Sequence, residues 1–260
     1  MGALGTDTGG SVNYPAHCNG LFSMKPSFGR VSRFGQILYS SSNETTGPLG
    51  HSINDVYAMF HTIQGVDQND SNCIDFRNIQ KVRYSDRVNE PGLEAPGVLE
   101  GLRVGIMDEF NIAELDDRNR NVQAMFIDML KDRGAIVKRF SVPLLKYCLP
   151  MYYTIIPSEA ATNLSRYDGI KYGAQPEPKE NEELFDYITR VRTQAFGMNV
   201  KRRCTLGNFL LSSKFEEFNE KVRTAQKIRR MLIEQWNKEM EEKDIDVVVS
   251  PTTIGFEPQL

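Results

Sequence analysis

The chain has 260 residues, 40% hydrophobic and 25% charged, with 31 Lys and Arg against 34 Asp and Glu. That length accommodates one large domain or two modest ones, and the near-balance of charge excludes a dedicated nucleic-acid binder, whose binding domain is typically basic. No apolar run approaches the roughly 18 residues of a membrane span, so no membrane segment is expected. Cys18, Cys73, Cys148 and Cys204 lie far apart, with no C-x-x-C pair and no clustered histidine. This spacing suits neither a zinc site nor a disulfide scaffold, and free thiols in a reducing compartment are expected, with no metal bound. Met1 runs straight into Gly2-Ala3-Leu4 without a cationic or Arg-rich leader; a cytosolic protein, or one whose natural N-terminus lies further upstream, would begin this way.

Residues 1–50 are rich in Gly, Ser and Pro and predict loops and short strands. Ser52 and Asp55 form a capping-box pattern before Ile53, Val56, Tyr57 and Phe60, which predicts a helix from Ser52 to Gly65. A long surface connection is expected over 67–100. Residues 102–107 read as a strand and 117–133 as a helix with Val122, Met125, Phe126, Met129 and Leu130 on its inward stripe, stopped by Gly134. Ala135 to Phe140 is the next strand, giving the strand–helix–strand unit of α/β folds. The helical pattern over 143–168 is expected to kink or end at Pro150 and Pro157. An exposed loop is expected over 173–183. A long amphipathic helix follows over 214–243, with Phe215, Phe218, Val222, Ala225, Ile228, Leu232 and Trp236 inward, and a last buried strand runs from Asp244 to Ser250. No internal repeat is present, and one α/β domain over 1–260 is expected.

The chemistry concentrates in Gly5-Thr6-Asp7-Thr8-Gly9-Gly10-Ser11-Val12-Asn13-Tyr14-Pro15. Glycines beside a hydroxyl residue let the backbone turn tightly and aim successive N–H groups into one concavity, suited to a phosphate or to the oxyanion of acyl transfer. A phosphate loop would close on Lys-Ser/Thr, and that lysine is absent. A plain Gly-rich turn is the alternative for these residues taken alone.

This stretch, followed by Pro15-Ala16 and by Met24-Lys25-Pro26-Ser27-Phe28-Gly29-Arg30-Val31-Ser32-Arg33, resembles the second half of the amidase signature. Ser158-Glu159-Ala160-Ala161-Thr162-Asn163-Leu164-Ser165-Arg166-Tyr167-Asp168-Gly169, with Tyr172-Gly173 beyond, narrows the resemblance to the A-subunit branch of the glutamyl-tRNA(Gln) amidotransferases. Val200-Lys201-Arg202-Arg203, with Leu206-Gly207, Phe209 and Leu211-Ser212, points the same way. The similarity covers essentially the whole chain in order. Pro15-Ala16-His17-Cys18 is closest in texture to mitochondrial forms.

The resemblance implies an amidase-signature α/β fold, a mixed central sheet covered by helices on both faces, with the family's N- and C-terminal parts outside these 260 residues. It implies a glutaminase working by a Ser–cis-Ser–Lys triad. Ser11 matches the nucleophile, and the N–H groups of Thr8, Gly9, Gly10 and Ser11 match the oxyanion hole. Arg203 matches the residue that binds the glutamine α-carboxylate, and its spacing to Leu206, Gly207 and Leu210 predicts an inward helix position; Tyr152 resembles a pocket tyrosine. A structural ion pair for Arg203 and a plain core aromatic for Tyr152 are the alternatives. Glu159, Arg166 and Asp168 are expected in a structural network. The implied partners are the B and C subunits of the amidotransferase, with Glu-tRNA(Gln) bound mainly through the B-subunit; no cofactor is expected in this chain, ATP and Mg being used by the partner subunit. The mitochondrial matrix is the implied location, the cytoplasm if the chain is bacterial.

The sequence departs from the family in several places. The motifs carrying the lysine and bridging serine are not among these residues, and Lys25 matches a Lys-Pro turn downstream of the nucleophile rather than the base. Asn13 stands where the family has arginine, and Ser42-Asn43-Glu44-Thr45-Thr46-Gly47-Pro48 replaces a Ser-Leu-Asp-x-x-Gly-Pro pattern. A general amidase and a catalytically incomplete scaffold are therefore competing readings. Over 201–230 Lys and Arg outnumber Asp and Glu nine to three, which reads as a solvated helix face, with a surface facing tRNA or an acidic partner as the alternative.

Overall fold

The computed structural model describes residues 1–75, 97–212 and 216–255, the side chains of 216–219 excepted. The expected connection over 67–100 therefore lies outside the described residues at 76–96, as do Phe215 and the side chain of Phe218. The chain divides into two compact units, one of residues 1–36, 45–146 and 232–260, the other of 37–44 and 147–231.

The first unit holds two three-stranded sheets. In the antiparallel one, β1 (Gly2–Asp7) and β2 (Phe22–Ser23) flank β3 (Thr45–Gly50), with Asp7 opposite Thr45 and Gly5 opposite Gly47. Helix α1 (Asn13–Cys18) follows β1, and α2 (Ile53–Ile63) follows β3. The Ser52 hydroxyl caps α2 by accepting the Asp55 N–H at 3.1 Å, as its sequence predicts. Only Val56 of the helix is buried, however, and Ile53 and Tyr57 are exposed.

The parallel sheet has the order β5-β4-β6 and contains the expected strand–helix–strand unit: β4 (Arg103–Met107), α3 (Asp117–Asp132) and β5 (Ile136–Phe140). Helix α3 starts on Asp116, whose carboxylate accepts the Arg118 N–H at 2.8 Å. Gly134, at φ +96°, turns the chain back after it. The third strand, β6 (Val247–Val249), pairs with β4 on the other side. As the middle strand, β4 is buried on both faces. Val104 and Ile106 pack with Leu130 and Ala135 on one face. Met107 joins Phe140, Val142 and Ile245 on the other, where Trp236 and Met240 of α7 (Glu216–Glu242) cover them. Gly105 is required there: a Cβ would meet Ile245 Cγ2 at 2.9 Å and Phe140 Cε1 at 3.0 Å. Register is fixed by Arg103, which grips Asp246 through Nε at 2.8 Å and a terminal nitrogen at 2.5 Å. The α/β class and helical cover of both faces thus match expectation.

The stripe assigned to α3 needs correction. Leu130 is buried, but Val122, Phe126 and Met129 are exposed and Met125 is 71% exposed. The apolar stripe is wider than the face a three-stranded sheet covers, so only the Ile127 and Leu130 side reaches the strands.

In the second unit, α4 (Cys148–Leu164) runs unbroken through both prolines. Pro150 lies in the first turn, where its missing N–H is not needed. Pro157 forgoes one helical bond, yet the helix continues because Ile155 to Ser158, Ala160 and Ala161 are all buried. Burial of nearly every face outweighs the local penalty. Helix α5 (Leu184–Ala195), with Tyr187 and Val191 turned inward, follows the loop expected over 173–183. The end of that loop is tied to the helix by Arg190, which holds Glu182 through 2.6 and 2.7 Å bonds and lowers the pKa of that carboxyl to about 2.

Helix α6 (Met198–Leu210) crosses α4 at Gly207, which lies directly against the Pro157 carbonyl. A Cβ there would collide with that oxygen and stand 2.7 Å from Ala161 Cβ. Gly207→Ala is therefore expected to destabilise by about 2 kcal/mol, an overpacking cost of about 3 kcal/mol against rigid backbone less the helix-propensity gain of about 1 kcal/mol. A lowered urea midpoint at unchanged slope would show it; an unchanged or raised midpoint would refute the close crossing.

Candidate active site

Strand β1 delivers Asp7 fully buried at its end. A buried carboxylate must be compensated, and here backbone donors do so. Its two oxygens accept the Gly10 N–H at 2.8 Å and the Val12 N–H at 2.7 Å, which folds Thr8-Gly9-Gly10-Ser11 into a turn across the strand end. Gly10 sits at φ +111°, a conformation that favours glycine. Its carbonyl accepts the Tyr14 N–H at 2.8 Å and leads into α1. Val12, fully buried, plugs the turn onto the sheet. Its methyl groups lie 3.1 Å and 3.4 Å from the positions Cβ atoms would take on Gly5 and Gly47, so the glycines of β1 and β3 make room for it.

Ser11 therefore stands outside the helix with its side chain exposed. Of the four N–H groups matched to an oxyanion hole, that of Gly10 is committed to Asp7, whereas those of Gly9 and Ser11 have no hydrogen-bond partner among the described residues. Asn13, at the family's arginine position, accepts the Ser23 hydroxyl at 3.0 Å and so ties the turn to β2. Lys25 lies exposed in the segment after β2. Asp7 is not among the residues the motif singles out, although an aspartate just upstream of a Gly-Gly turn carries a recognisable signal: Asp side chains bond backbone N–H groups a few residues on.

Arg203 and Tyr152 belong to the second unit. The inward position expected for Arg203 is not found: α6 turns Cys204, Gly207 and Leu210 inward, and Arg203, about 100° away from Cys204, is exposed. No carboxylate of the described side chains pairs with it. Its guanidinium carbon lies 5.8 Å from the centre of the Tyr39 ring. Tyr152 packs half-buried against Ile155, Ile156 and Ala225, the same cluster that Tyr39 covers. Burial pushes the Tyr39 phenol above its usual range, and the Arg203 guanidinium, as a charge and a hydrogen-bond donor, pulls it partly back. Arg203, Tyr39 and Tyr152 thus form one group.

The expected structural network is present around Glu159, which accepts the Ser40 hydroxyl at 2.6 Å, the Ser42 hydroxyl at 2.6 Å and the Ser42 N–H at 3.0 Å. Arg166 donates to the Asn163 carbonyl at 2.9 Å. Asp168 stands apart and instead accepts the Ile170 N–H at 2.8 Å in an exposed turn. All four cysteines are free. Among the described residues no group of three His, Cys, Asp or Glu is placed to hold a metal ion, and no helix is long and apolar enough to cross a membrane.

The amidase family model matches residues 1–260, and the chain belongs to that family. Within it, the chain is 38% identical over 254 residues to the A-subunit of the Lactobacillus johnsonii glutamyl-tRNA(Gln) amidotransferase, covering 97% of this chain and 49% of that relative. The crystal structure of the corresponding A-subunit from Thermotoga maritima superposes with a TM-score of 0.63 at 26% identity, over 93% of this chain and 44% of that one. A solved structure from a vestigial complex related to an s-triazine catabolic enzyme gives a TM-score of 0.72 over 99% of this chain and 47% of its own, and at 24% identity it shares the fold alone. The chain spans about half the length of the curated relatives it matches.

Proposed function

We propose that these residues form part of the glutaminase subunit of a glutamyl-tRNA(Gln) amidotransferase. The observation that carries this reading is the exposed Ser11 hydroxyl on a turn held by a buried carboxylate. The likeness to amidotransferase A-subunits over nearly the whole chain supports it. Ser11 Oγ attacks the glutamine carboxamide carbon, and its proton passes through a bridging serine to a neutral lysine, both supplied from outside these residues. The free N–H groups of Gly9 and Ser11 receive the developing oxyanion, where each such donor is worth about 2.7–4 kcal/mol. Ammonia departs with the returned proton, and water then releases glutamate from the acyl-enzyme. The B and C subunits, with ATP and Mg used by the partner and Glu-tRNA(Gln) held mainly by the B-subunit, complete the proposal. The texture of Pro15 to Cys18 supports a mitochondrial matrix location, with the cytoplasm as the alternative if the chain is bacterial, like the Lactobacillus and Thermotoga relatives.

The test is a completed enzyme, in which residues 1–260 replace the matching segment of the Lactobacillus johnsonii A-subunit and its partner subunits are supplied. It is expected to hydrolyse glutamine in preference to simple amides; the reverse preference would favour a general amidase. The 260-residue chain alone is expected to show no significant turnover, since a serine hydroxyl is a weak nucleophile without its base. Robust glutaminase activity of the monodisperse chain, lost in Ser11→Ala, would overturn the triad as mapped. In the completed enzyme, Arg203→Ala is expected to raise KM for glutamine about 10- to 150-fold, the equivalent of a charge-assisted bond of about 1.5–3 kcal/mol. Unchanged glutamine kinetics would remove Arg203 from the binding site.

A further inference from the structure

Tyr39 lies on the short segment 37–44, which the rest of the second unit holds at Tyr39, Ser40, Ser41 and Ser42. The Tyr39 N–H donates to Glu44 at 2.7 Å, and its carbonyl accepts from Asn163 Nδ2 at 3.2 Å. The next residue, Ser40, is fully buried, donating its N–H to Glu44 at 3.2 Å and its hydroxyl to Glu159. Ser42 is gripped by Glu159 on one side and by Arg229, at 3.2 Å, on the other. These bonds fix the backbone that carries the Tyr39 ring, and the ring itself packs on Ile155, Ile156 and Ala225. That ring faces the Arg203 guanidinium on an otherwise exposed side of α6.

A long arginine on a helix flank samples many rotamers, and binding a carboxylate in fork geometry requires one of them. An aromatic ring beside the guanidinium restricts that plane while leaving the N–H groups that do not donate to the Tyr39 phenol free to point outward. We propose that Tyr39 is a positioning residue for substrate: its clamped ring orients Arg203 so that the guanidinium meets the α-carboxylate of glutamine. This inference rests on the glutaminase reading and on the assignment of Arg203 within it. Tyr39 touches no reacting atom, so it acts on binding and not on the acyl-transfer step.

The experiment is a double-mutant cycle in the completed enzyme, read as KM and kcat for glutamine. Tyr39→Leu is expected to raise KM about 3- to 5-fold with kcat within about twofold, the size of an exposed cation–π contact. Tyr39→Phe, which keeps the ring, is expected to restore KM, and Tyr39→Leu is expected to have no further effect in an Arg203→Ala background. Tyr39→Met serves as a second variant lacking the ring if the leucine variant does not fold. Unchanged KM in the variants lacking the ring, failure of Tyr39→Phe to restore it, or additive effects in the cycle would overturn the role of Tyr39. Unchanged KM in Arg203→Ala alone would instead overturn the assignment of Arg203 on which it rests.

Discussion

Ser11→Ala is expected to lower glutamine hydrolysis by the completed enzyme about 10³-fold or more while leaving stability within about 0.5 kcal/mol. The activity loss follows from removing the attacking oxygen. In enzymes whose nucleophile, relay and base act as one unit, deleting the nucleophile alone forfeits most of what the whole unit supplies. The small stability effect follows from where the side chain sits, exposed at the turn and outside the packed layer formed by Val12. Steady-state glutaminase assays beside urea unfolding of the same preparations check both halves. A Ser11→Ala enzyme that retains more than about a tenth of its rate would remove Ser11 from the nucleophile's role.

Asp7→Ala is expected to produce the complementary result, losing activity and stability together. The substitution strips the partners from the Gly10 and Val12 N–H groups, the second of them buried. An orphaned buried donor costs about 1–3 kcal/mol, so a loss of about 3 kcal/mol is expected. That is a large share of the 5–15 kcal/mol typical of a domain. Asp7→Asn retains one acceptor and should fall between the two. A variant with wild-type unfolding behaviour would mean that the turn is held by something other than this carboxylate.

Much of this could be read in advance because local signals and tertiary packing agree. The Ser52 cap is a local hydrogen bond, the alternation of β4 between Val104, Ile106 and Met107 matches the two faces it buries, and the Ala225 to Trp236 period of α7 matches its inward side. The discrepancies have a common physical origin, since sequence periodicity says which residues are apolar but not how wide a neighbour is available to cover them. Val122, Met125 and Phe126 of α3 fit a helical stripe yet extend past the edge of their sheet. Pro157 breaks a local rule that Gly207 and the buried run around it override. At the site, Ser11 and the two glycines were legible as a turn, and motif resemblance supplied its chemistry. The role of Asp7 depends on a pair of backbone bonds, and that of Tyr39 on a clamp between residues more than a hundred positions apart, such as Ser40 and Glu159. Neither leaves a periodic trace. Arg203 departs from its expected phase because its helix buries small residues, Cys204 and Gly207, which a hydrophobic count underweights.

The ion pair between Arg103 and Asp246 joins positions 143 residues apart, with the whole of 147–231 synthesised in between. Strand β4 can pair with β5 soon after both emerge, but its other edge must wait for β6. For the intervening period a nascent chain carries an unpaired strand edge and an arginine with no counter-charge, both targets for off-pathway association. Such long-range parallel pairing is slow, because loop closure precedes any gain from the contact. Refolding is therefore expected to be limited by the docking of Val247 to Val249 rather than by formation of the helices, and the yield of native protein to fall as concentration rises.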